Sequence, residues 1–422
     1  MGRNPAVSVT GGTIWGNRGA EAMLVTVVGK LREMRPGGHI DVFSYQPKQD
    51  RRLVQADDIT IISSKPVALV IKHFPLALLS WLLGLLRIRL PDAMLPKAVR
   101  ALRDSDALLD IGGISFSDGR EKFLPFNILL IWPAMLLGVP VIKLAQAVGP
   151  FKNPLNRLAA KLFLSRCNRV FARGAITAQH LEQLGLRRDK WERSTDVAFL
   201  YEPRYSLSRE NEDRLAGLVE TLRGWRQEGC PVIGIIPSSL VDDKFTAEAR
   251  EYAALLTDLF ATGTGMRFVL LPNATRAGSE KRFNNDLVVI EKVREMVCVA
   301  FSEADQERIA YVTYDVNTAG TRTLIEQCDV VVTSRFHGMV SALSLSVPTI
   351  VIGWSHKYAE VMAEFDLEKY ALDFGGEDLS LHEAVTELLN AGAPLREQMR
   401  ATLNPVRANA QAQFDYVEQI IA

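Results

Sequence analysis

The chain has 422 residues, of which 48% are hydrophobic and 23% charged, close to the averages of soluble globular proteins. That composition excludes a disordered or collagen-like chain, and the length predicts two domains. Lys+Arg and Asp+Glu both number 49, so the formal net charge is zero. Global electrostatics therefore point to no nucleic-acid partner, and any anionic ligand must be held by a local cluster. The four cysteines, Cys167, Cys230, Cys298 and Cys328, are far apart and show no C-x-x-C spacing. They predict neither a zinc site nor a disulfide framework, and read as thiols of a reducing cytoplasm. The start, Met1-Gly2-Arg3-Asn4-Pro5, runs into an apolar strand without a secretory h-region, which predicts a cytoplasmic protein.

In chain order, Ala6–Thr10 reads as a strand, Gly11–Gly19 as a glycine-rich loop and Glu21–Met34 as a helix stopped by Pro36-Gly37-Gly38. Further strands are expected at Ile40–Ser44, Ala107–Ile111, Val139–Ala145 and Arg169–Arg173. They are short, continuous and apolar, as parallel strands covered on both faces should be. Between them lies the apolar stretch 74–86, flanked by Lys72, His73, Arg87 and Arg89. It is shorter than the roughly 20 residues of a membrane span. It reads either as a core helix or as a helix lying in a membrane interface, where Trp81 and the basic flanks suit the headgroup layer.

A polar stretch from Glu202 to Gln227 follows, and the alternation then restarts. Strands are expected at Val232–Ile236, Met266–Leu271, Ala310–Tyr314, Asp329–Thr333 and Thr349–Ile352. Two such series predict an α/β protein of two Rossmann-like domains facing a central cleft, 1–203 and 204–422. Ligands of open parallel sheets bind beyond the carboxyl ends of the strands. The loops after each strand are therefore the places to look.

The loop Gly11 to Glu21 ends at a helix N-terminus but is neither G-x-G-x-x-G nor a P-loop. Asn17 and Arg18 read as ligand contacts, while Glu21 in the first helical turn is open between ligand contact and capping. Gly112-Gly113 after the third strand is either a structural turn or a place of close ligand approach. Arg173 at a strand tip is open between a surface salt bridge and a phosphate ligand. Leu271-Pro272-Asn273-Ala274-Thr275-Arg276 offers polar donors at another tip. The strongest local signal is Ser334-Arg335-Phe336-His337-Gly338, between three valines and a helix. There a helix N-terminus, a bidentate cation (Arg335) and a proton carrier (His337) coincide. Gly338 would let the backbone come close, and Lys357, after the next strand, could reach the same anion.

Together these segments resemble the polysaccharide pyruvyl transferase family, in its motif order and over most of the chain. The family's G-N-x-G-D-E-A appears as Gly16-Asn17-Arg18-Gly19-Ala20-Glu21-Ala22, and its Q-x-x-G-P as Gln146-Ala147-Val148-Gly149-Pro150. The glycine pair Gly112-Gly113 and Arg173 with its following helix also match, and S-R-x-H-G is complete at Ser334–Gly338. Ala20 stands where the family usually has aspartate. The resemblance implies a GT-B-like architecture and transfer of pyruvate from phosphoenolpyruvate onto a sugar, as a cyclic ketal. The acceptor would belong to a cell-surface polysaccharide or a lipid-linked glycan, made on the inner face of the plasma membrane. It implies donor contacts at Arg335, His337 and Arg173; from their positions His337 and Arg335 are the expected catalytic residues, with Ser334, Gly338, Lys357 and Asn273 also expected on the donor. Asn17, Arg18, Glu21, Gly112 and Gly113 would face the acceptor. Phosphoenolpyruvate would be a substrate, and no cofactor or metal is called for. The rival expectations are a glycosyltransferase of the same architecture with a nucleotide-sugar donor, and a non-catalytic sugar- or anion-binding protein.

Overall fold

Alternation of buried apolar strands with amphipathic helices organises both halves of the chain. The computed structural model describes residues 6–54, 56–203, 209–247, 251–276, 284–353, 356–372 and 380–422. They fall into two compact units. The first comprises the chain up to Trp15, Ala20–Tyr201 and Arg407–Ala422; the second comprises Gly16–Gly19 and Glu202–Val406.

The first unit holds β1 (Ala6–Thr10), β2 (His39–Ser44), β3 (Ile59–Ser63), β4 (Ala107–Asp110), β5 (Ile114–Ser115), β6 (Val141–Val148), β7 (Arg169–Arg173) and β8 (Trp191–Ser194). They form a parallel sheet in the order β3-β2-β1-β4-β6-β7-β8, with β5 pairing on β6. The chain runs outward from β1 on one side and from β4 on the other, so the topological switch point lies between β1 and β4. Leu108, Ile131, Phe163, Val170 and Cys167 belong to one core cluster on this sheet. Burial pushes the Cys167 thiol up to about 12, so it packs as an inert small apolar group.

The second unit holds β9 (Val232–Ile236), β10 (Arg267–Leu270), β11 (Ile309–Tyr311), β12 (Val330–Thr333), β13 (Thr349–Ile352) and β14 (Ala371–Leu372). These six parallel strands are ordered β11-β10-β9-β12-β13-β14, which puts the switch point between β9 and β12. Leu222, Val232, Val269, Leu324 and Val331 pack in its core.

Three expectations need correction. The polar stretch Glu202–Gln227, to which the sequence pattern assigns no element, contains a helix, Arg209–Gln227. Residues 407–422, expected in the second domain, fold with the first unit. The C-terminal helix Leu381–Ile421 kinks at Gly392 (φ 50°), and its last turns lie on the first sheet. There the buried Gln413 accepts from the Ala145 backbone N–H at 2.8 Å and donates to the Thr195 carbonyl at 2.9 Å. The polar seam of that helix, Asn409 and Gln413, is thereby satisfied inside the first unit.

The third concerns the apolar stretch at 74–86. The helix begins earlier, at Pro66, and runs to Leu85, so its 20 residues are long and apolar enough to cross a membrane by length and composition. A widened π turn, Leu69–His73, precedes the α-helical part. Pro75 supplies no N–H, and its ring would clash with the carbonyl of Ile71 in a regular helix; the wider turn removes that clash. Leu69, His73 and Ala77, four residues apart, form the buried seam by which the helix packs on the first unit. It is therefore not a core helix, because most of its remaining surface is exposed.

Candidate functional site

Each unit places one constellation at its switch point, where an open parallel sheet leaves a crevice for ligands. In the second unit the strand β12 ends in the Ser334–Gly338 turn. The Ser334 N–H donates to the Ile236 carbonyl at the end of β9, at 3.0 Å, which fixes the turn at the boundary of the two strands. The Ser334 hydroxyl pairs with the buried Tyr252 hydroxyl at 2.6 Å, and Tyr358 donates to the Ser334 carbonyl at 3.3 Å. Burial raises the Tyr252 phenol well above its ordinary range, so it stays neutral. Ser334 is thus a buttress of the turn.

Arg335 occupies the N-cap position of the helix Phe336–Ser344 in extended geometry (φ −115°, ψ 126°). Its guanidinium does not present an open bidentate face. Nε donates to both carboxylate oxygens of Asp286 at 3.1 Å, Nη2 also pairs with Asp286, and Nη1 donates to Asn284 at 2.8 Å. Nη2 reaches Ser239 at 3.3 Å. A guanidinium has five N–H donors, and most are spent on protein acceptors. Asp286 itself is 0% exposed and also accepts from the backbone N–H groups of Ala274 at 2.8 Å, Asn273 at 3.1 Å and Ser239 at 3.2 Å. One carboxylate therefore ties the loops after β9, β10 and β12 together.

His337 is the second residue of the helix and is half-buried, its ring edge-on to Phe336 at 5.2 Å. The segment Gly16–Gly19 lies against it. A Cβ placed on Gly19 would stand 2.1 Å from His337 Nδ1 and 2.7 Å from its Cβ, so only glycine admits this approach. Asn17 caps the helix Arg18–Met34, its Oδ1 accepting from the Gly19 N–H at 3.0 Å. The Arg18 N–H donates to the Asn273 carbonyl at 2.9 Å, its carbonyl accepts from Thr318 at 2.9 Å, and its Nη2 lies 3.7 Å from Asp315. Asn17 and Arg18 were expected on the first domain. They belong to the second unit, because the loop's backbone is hydrogen-bonded to the strand-tip loop carrying Asn273. Asn273 is buried there. Lys357 Nζ stands 5.5 Å from the Phe336 ring and 5.1 Å from the Tyr358 ring, beside the same turn.

Gly338 serves packing. A Cβ there would meet Thr333 Oγ1 at 2.6 Å and Ile236 at 3.2 Å, so glycine seats the helix on the strand ends.

In the first unit, the loops after β1 and β4 meet. Asp110 Oδ1 accepts from the Gly112 N–H at 2.9 Å, and its other oxygen pairs with Lys143, which is 0% exposed. Gln146 donates to the Asp110 carbonyl at 2.7 Å and accepts from Ser115 at 2.7 Å. Arg173 is buried, donating to Asp196 at 2.8 Å and to the Gly113 carbonyl at 3.0 Å. In this structure Arg173 forms a buried ion pair with Asp196 and lies beside Gly113. Glu21, in the first turn of its helix, is fully buried. Gly112 and Gly113 are half-buried.

Ser334, Arg335, His337, Gly338, Asn273, Lys357, Asn17 and Arg18 are thus brought together in the second unit. Glu21, Gly112, Gly113 and Arg173 lie in the first. Among the described residues no group of three or more His, Cys, Asp or Glu side chains is placed to hold a metal ion. The model of the family described as polysaccharide pyruvyl transferase matches residues 17–356.

The chain belongs to this family.

It is accordingly a transferase, and the family implies a polysaccharide acceptor. The match starts at Asn17, in the segment against His337, and runs past the Ser334–Gly338 turn. The fold is GT-B, as in several solved structures of low sequence identity. A UDP-GlcNAc 2-epimerase from Neisseria meningitidis, bound to UDP-GlcNAc, is similar over 98% of this chain and 100% of its own, with a TM-score of 0.55 at 13% identity. S. aureus MnaA in a structure with UDP aligns over 98% and 95%, with a TM-score of 0.55 at 12% identity. The Anabaena protein HepE, in complex with UDP-glucose, aligns over 99% and 98%, with a TM-score of 0.51 at 12% identity.

Sequence reasoning missed Asp286, Tyr252, Asp315, Asp196 and Lys143. Asp286 precedes the helix Leu287–Ala300 in a capping position, so by sequence its carboxylate would be assigned to that helix. Its main partner is 49 residues away.

Proposed function

We propose that this transferase moves pyruvate from phosphoenolpyruvate onto a sugar of a cell-surface polysaccharide or lipid-linked glycan, forming a ketal and releasing phosphate. The observation that supports it most is the seating of His337 at the switch point of the second unit, against the Gly16–Gly19 segment. Two distant family motifs meet there on one titratable side chain.

Two sugar hydroxyls add to the carbon that bore the phosphate. One hydroxyl proton goes to the methylene carbon, which becomes a methyl group, and the other leaves with phosphate. His337 acts as general acid and base for these transfers. The donor's phosphate and carboxylate are met by the N-terminal N–H groups of the helix Phe336–Ser344 and by Lys357. Arg335, bound to Asp286, holds that turn in place. Asn17, Arg18 and Asn273 shape the same pocket wall through their backbone. Glu21, Gly112 and Gly113 serve the acceptor, with Arg173 fixing the Gly113 turn. The aspartate usual in the family is Ala20 here, which alters the acceptor side. The reaction belongs on the cytoplasmic face of the membrane, with phosphoenolpyruvate as substrate and no step routed through a cofactor.

Phosphate release from phosphoenolpyruvate, measured with a panel of sugar acceptors, tests this. Acceptor-dependent release is expected. Release with none of them, together with no binding of phosphoenolpyruvate, would overturn the reading. A second reading is a glycosyltransferase with a nucleotide-sugar donor, favoured by the UDP, UDP-glucose and UDP-GlcNAc bound in the similar structures. It predicts acceptor-dependent consumption of a UDP-sugar instead.

A single methyl group probes the seating of His337. Gly19→Ala must displace the ring, and misplacing a catalytic group by about 1 Å costs on the order of 10²-fold in rate. Turnover measured on the purified variant should fall by about that factor. Unchanged turnover would place His337 outside the reacting geometry.

A further inference from the structure

The first unit carries an apolar surface that none of the chemistry above uses. On the helix Pro66–Leu85 and the residues after it, Val67, Ile71, Leu82, Leu85, Leu86 and Ile88 are exposed, Val67 and Leu86 each to 69%. Trp81 joins them at 42%. The surface does not end with that helix. Phe74 packs on Trp132 of the helix Leu124–Leu136 at 4.6 Å between ring centroids, and Trp132 packs edge-on to Phe163 of the helix Pro154–Leu164 at 5.2 Å. This chain of rings ties three helices side by side. The third of them turns Phe163, Ala159 and Ala160 inward and exposes Leu155, Leu158 and Leu162, spaced as one helical stripe. An exposed leucine stripe on a helix whose other face is buried marks a surface suited to a second apolar environment outside the unit.

The charges around this surface identify that environment. Residues 65–91 carry Lys65, Lys72, Arg87 and Arg89 and no carboxylate; residues 152–166 carry Lys152, Arg157, Lys161 and Arg166 and no carboxylate. All eight cations are exposed. In a chain with equal numbers of acidic and basic residues, so one-sided a distribution complements an anionic surface. At the foot of the long helix a cavity of about 540 Å³ is lined by Arg51, Lys72, His73 and Lys97. His73 is 5% exposed there, and its Nδ1 has no hydrogen-bond partner. Burial and Lys72 lower its pKa to about 4, so at neutral pH its ring is uncharged and the cavity's positive charge comes from Arg51, Lys72 and Lys97. The seam of Leu69, His73 and Ala77 keeps the helix on the protein, which is the geometry of a helix lying in an interface rather than crossing it.

We infer that these three helices form one docking face for an anionic lipid bilayer, with the leucine stripe of Pro154–Leu164 as its second anchor. The apolar stripes enter the boundary of headgroups and acyl chains, Trp81 sits at headgroup depth, and the basic residues meet lipid phosphates. Nothing in this depends on the identity of the pyruvyl donor.

Co-sedimentation of the full chain with vesicles is the test, comparing phosphatidylcholine alone with phosphatidylcholine plus an anionic phospholipid. Binding is expected to the anionic vesicles and to weaken with added salt. Arg157→Glu/Lys161→Glu should weaken it by tenfold or more, since each cation near an anionic surface contributes about 1 kcal/mol. Leu155→Ser/Leu158→Ser changes only exposed positions and should abolish it, with the thermal melt unchanged. Binding to neither vesicle overturns the inference, as does binding that both double variants retain. A leucine variant that instead converts a dimer to a monomer, without altering vesicle binding, would assign the face to a second copy of the chain. In every case phosphate release with a soluble acceptor, read in parallel, reports the chemistry separately.

Discussion

Replacing His337 with alanine should lower acceptor-dependent phosphate release by about 10²–10⁴-fold, the usual loss when general acid–base catalysis is removed. The fold should survive, because the ring is half-buried and edge-on to Phe336 rather than locked in the core. What the substitution removes is an imidazole at the carboxyl end of β12, on the second residue of a helix whose first N–H groups are left unpaired by the helix itself. Phosphoenolpyruvate binding should change little, since the anion is held by the helix N-terminus and Lys357. The kinetic signature is therefore a fall in kcat with KM nearly constant. A rate within about threefold of the parent would remove His337 from the proton transfers.

The largest effect on stability is expected at Asp286. Its carboxylate is fully buried, pairs with Arg335 and accepts three backbone N–H groups. Asp286→Ala leaves the Arg335 guanidinium buried without its counter-charge, a loss of about 3–5 kcal/mol for a broken buried pair. Denaturant unfolding of the second unit should show it as a shift of that transition. The double substitution Asp286→Leu/Arg335→Met should recover much of the stability, because apolar replacement of a buried pair is often neutral. It should not recover turnover, since the Ser334–Gly338 turn loses its anchor to the loops after β9 and β10. A single-variant cost below about 1 kcal/mol would mean the pair behaves as a solvent-screened surface contact.

The central strands were legible because strands covered on both faces are apolar along their whole length. Val330–Thr333 and Ala107–Asp110 are entirely buried, and their sequences announce it. Edge strands are not so marked. Ile59–Ser63 has two buried residues and Trp191–Ser194 mixes Glu192 and Arg193 into the strand, so neither carries a clear period. The C-terminal return to the first unit was hidden because the helix continues through Pro405, two residues before its change of partner at residue 407, so the breaker in the sequence does not end the element.

The site divides the same way. His337, Gly338 and Ser334 were visible from the strand-to-helix turn alone. The partner of Arg335 was not, since Asp286 lies in a loop whose own pattern reads as a helix cap. The seating of Asn17 and Arg18 in the second unit was also invisible. It rests on backbone hydrogen bonds to Asn273 and Gly16 over some 255 residues of chain, 2.9 Å from the Arg18 N–H and 3.2 Å from the Thr275 N–H. Backbone pairing of that kind carries no side-chain signature.

Donor identity is the claim on which the rest depends, and protection against thermal unfolding measures it directly. Pyruvyl transfer predicts that phosphoenolpyruvate raises the melting temperature of the full chain and of His337→Ala alike, while UDP does not. Protection by UDP and none by phosphoenolpyruvate would contradict it and make the protein a nucleotide-sugar enzyme.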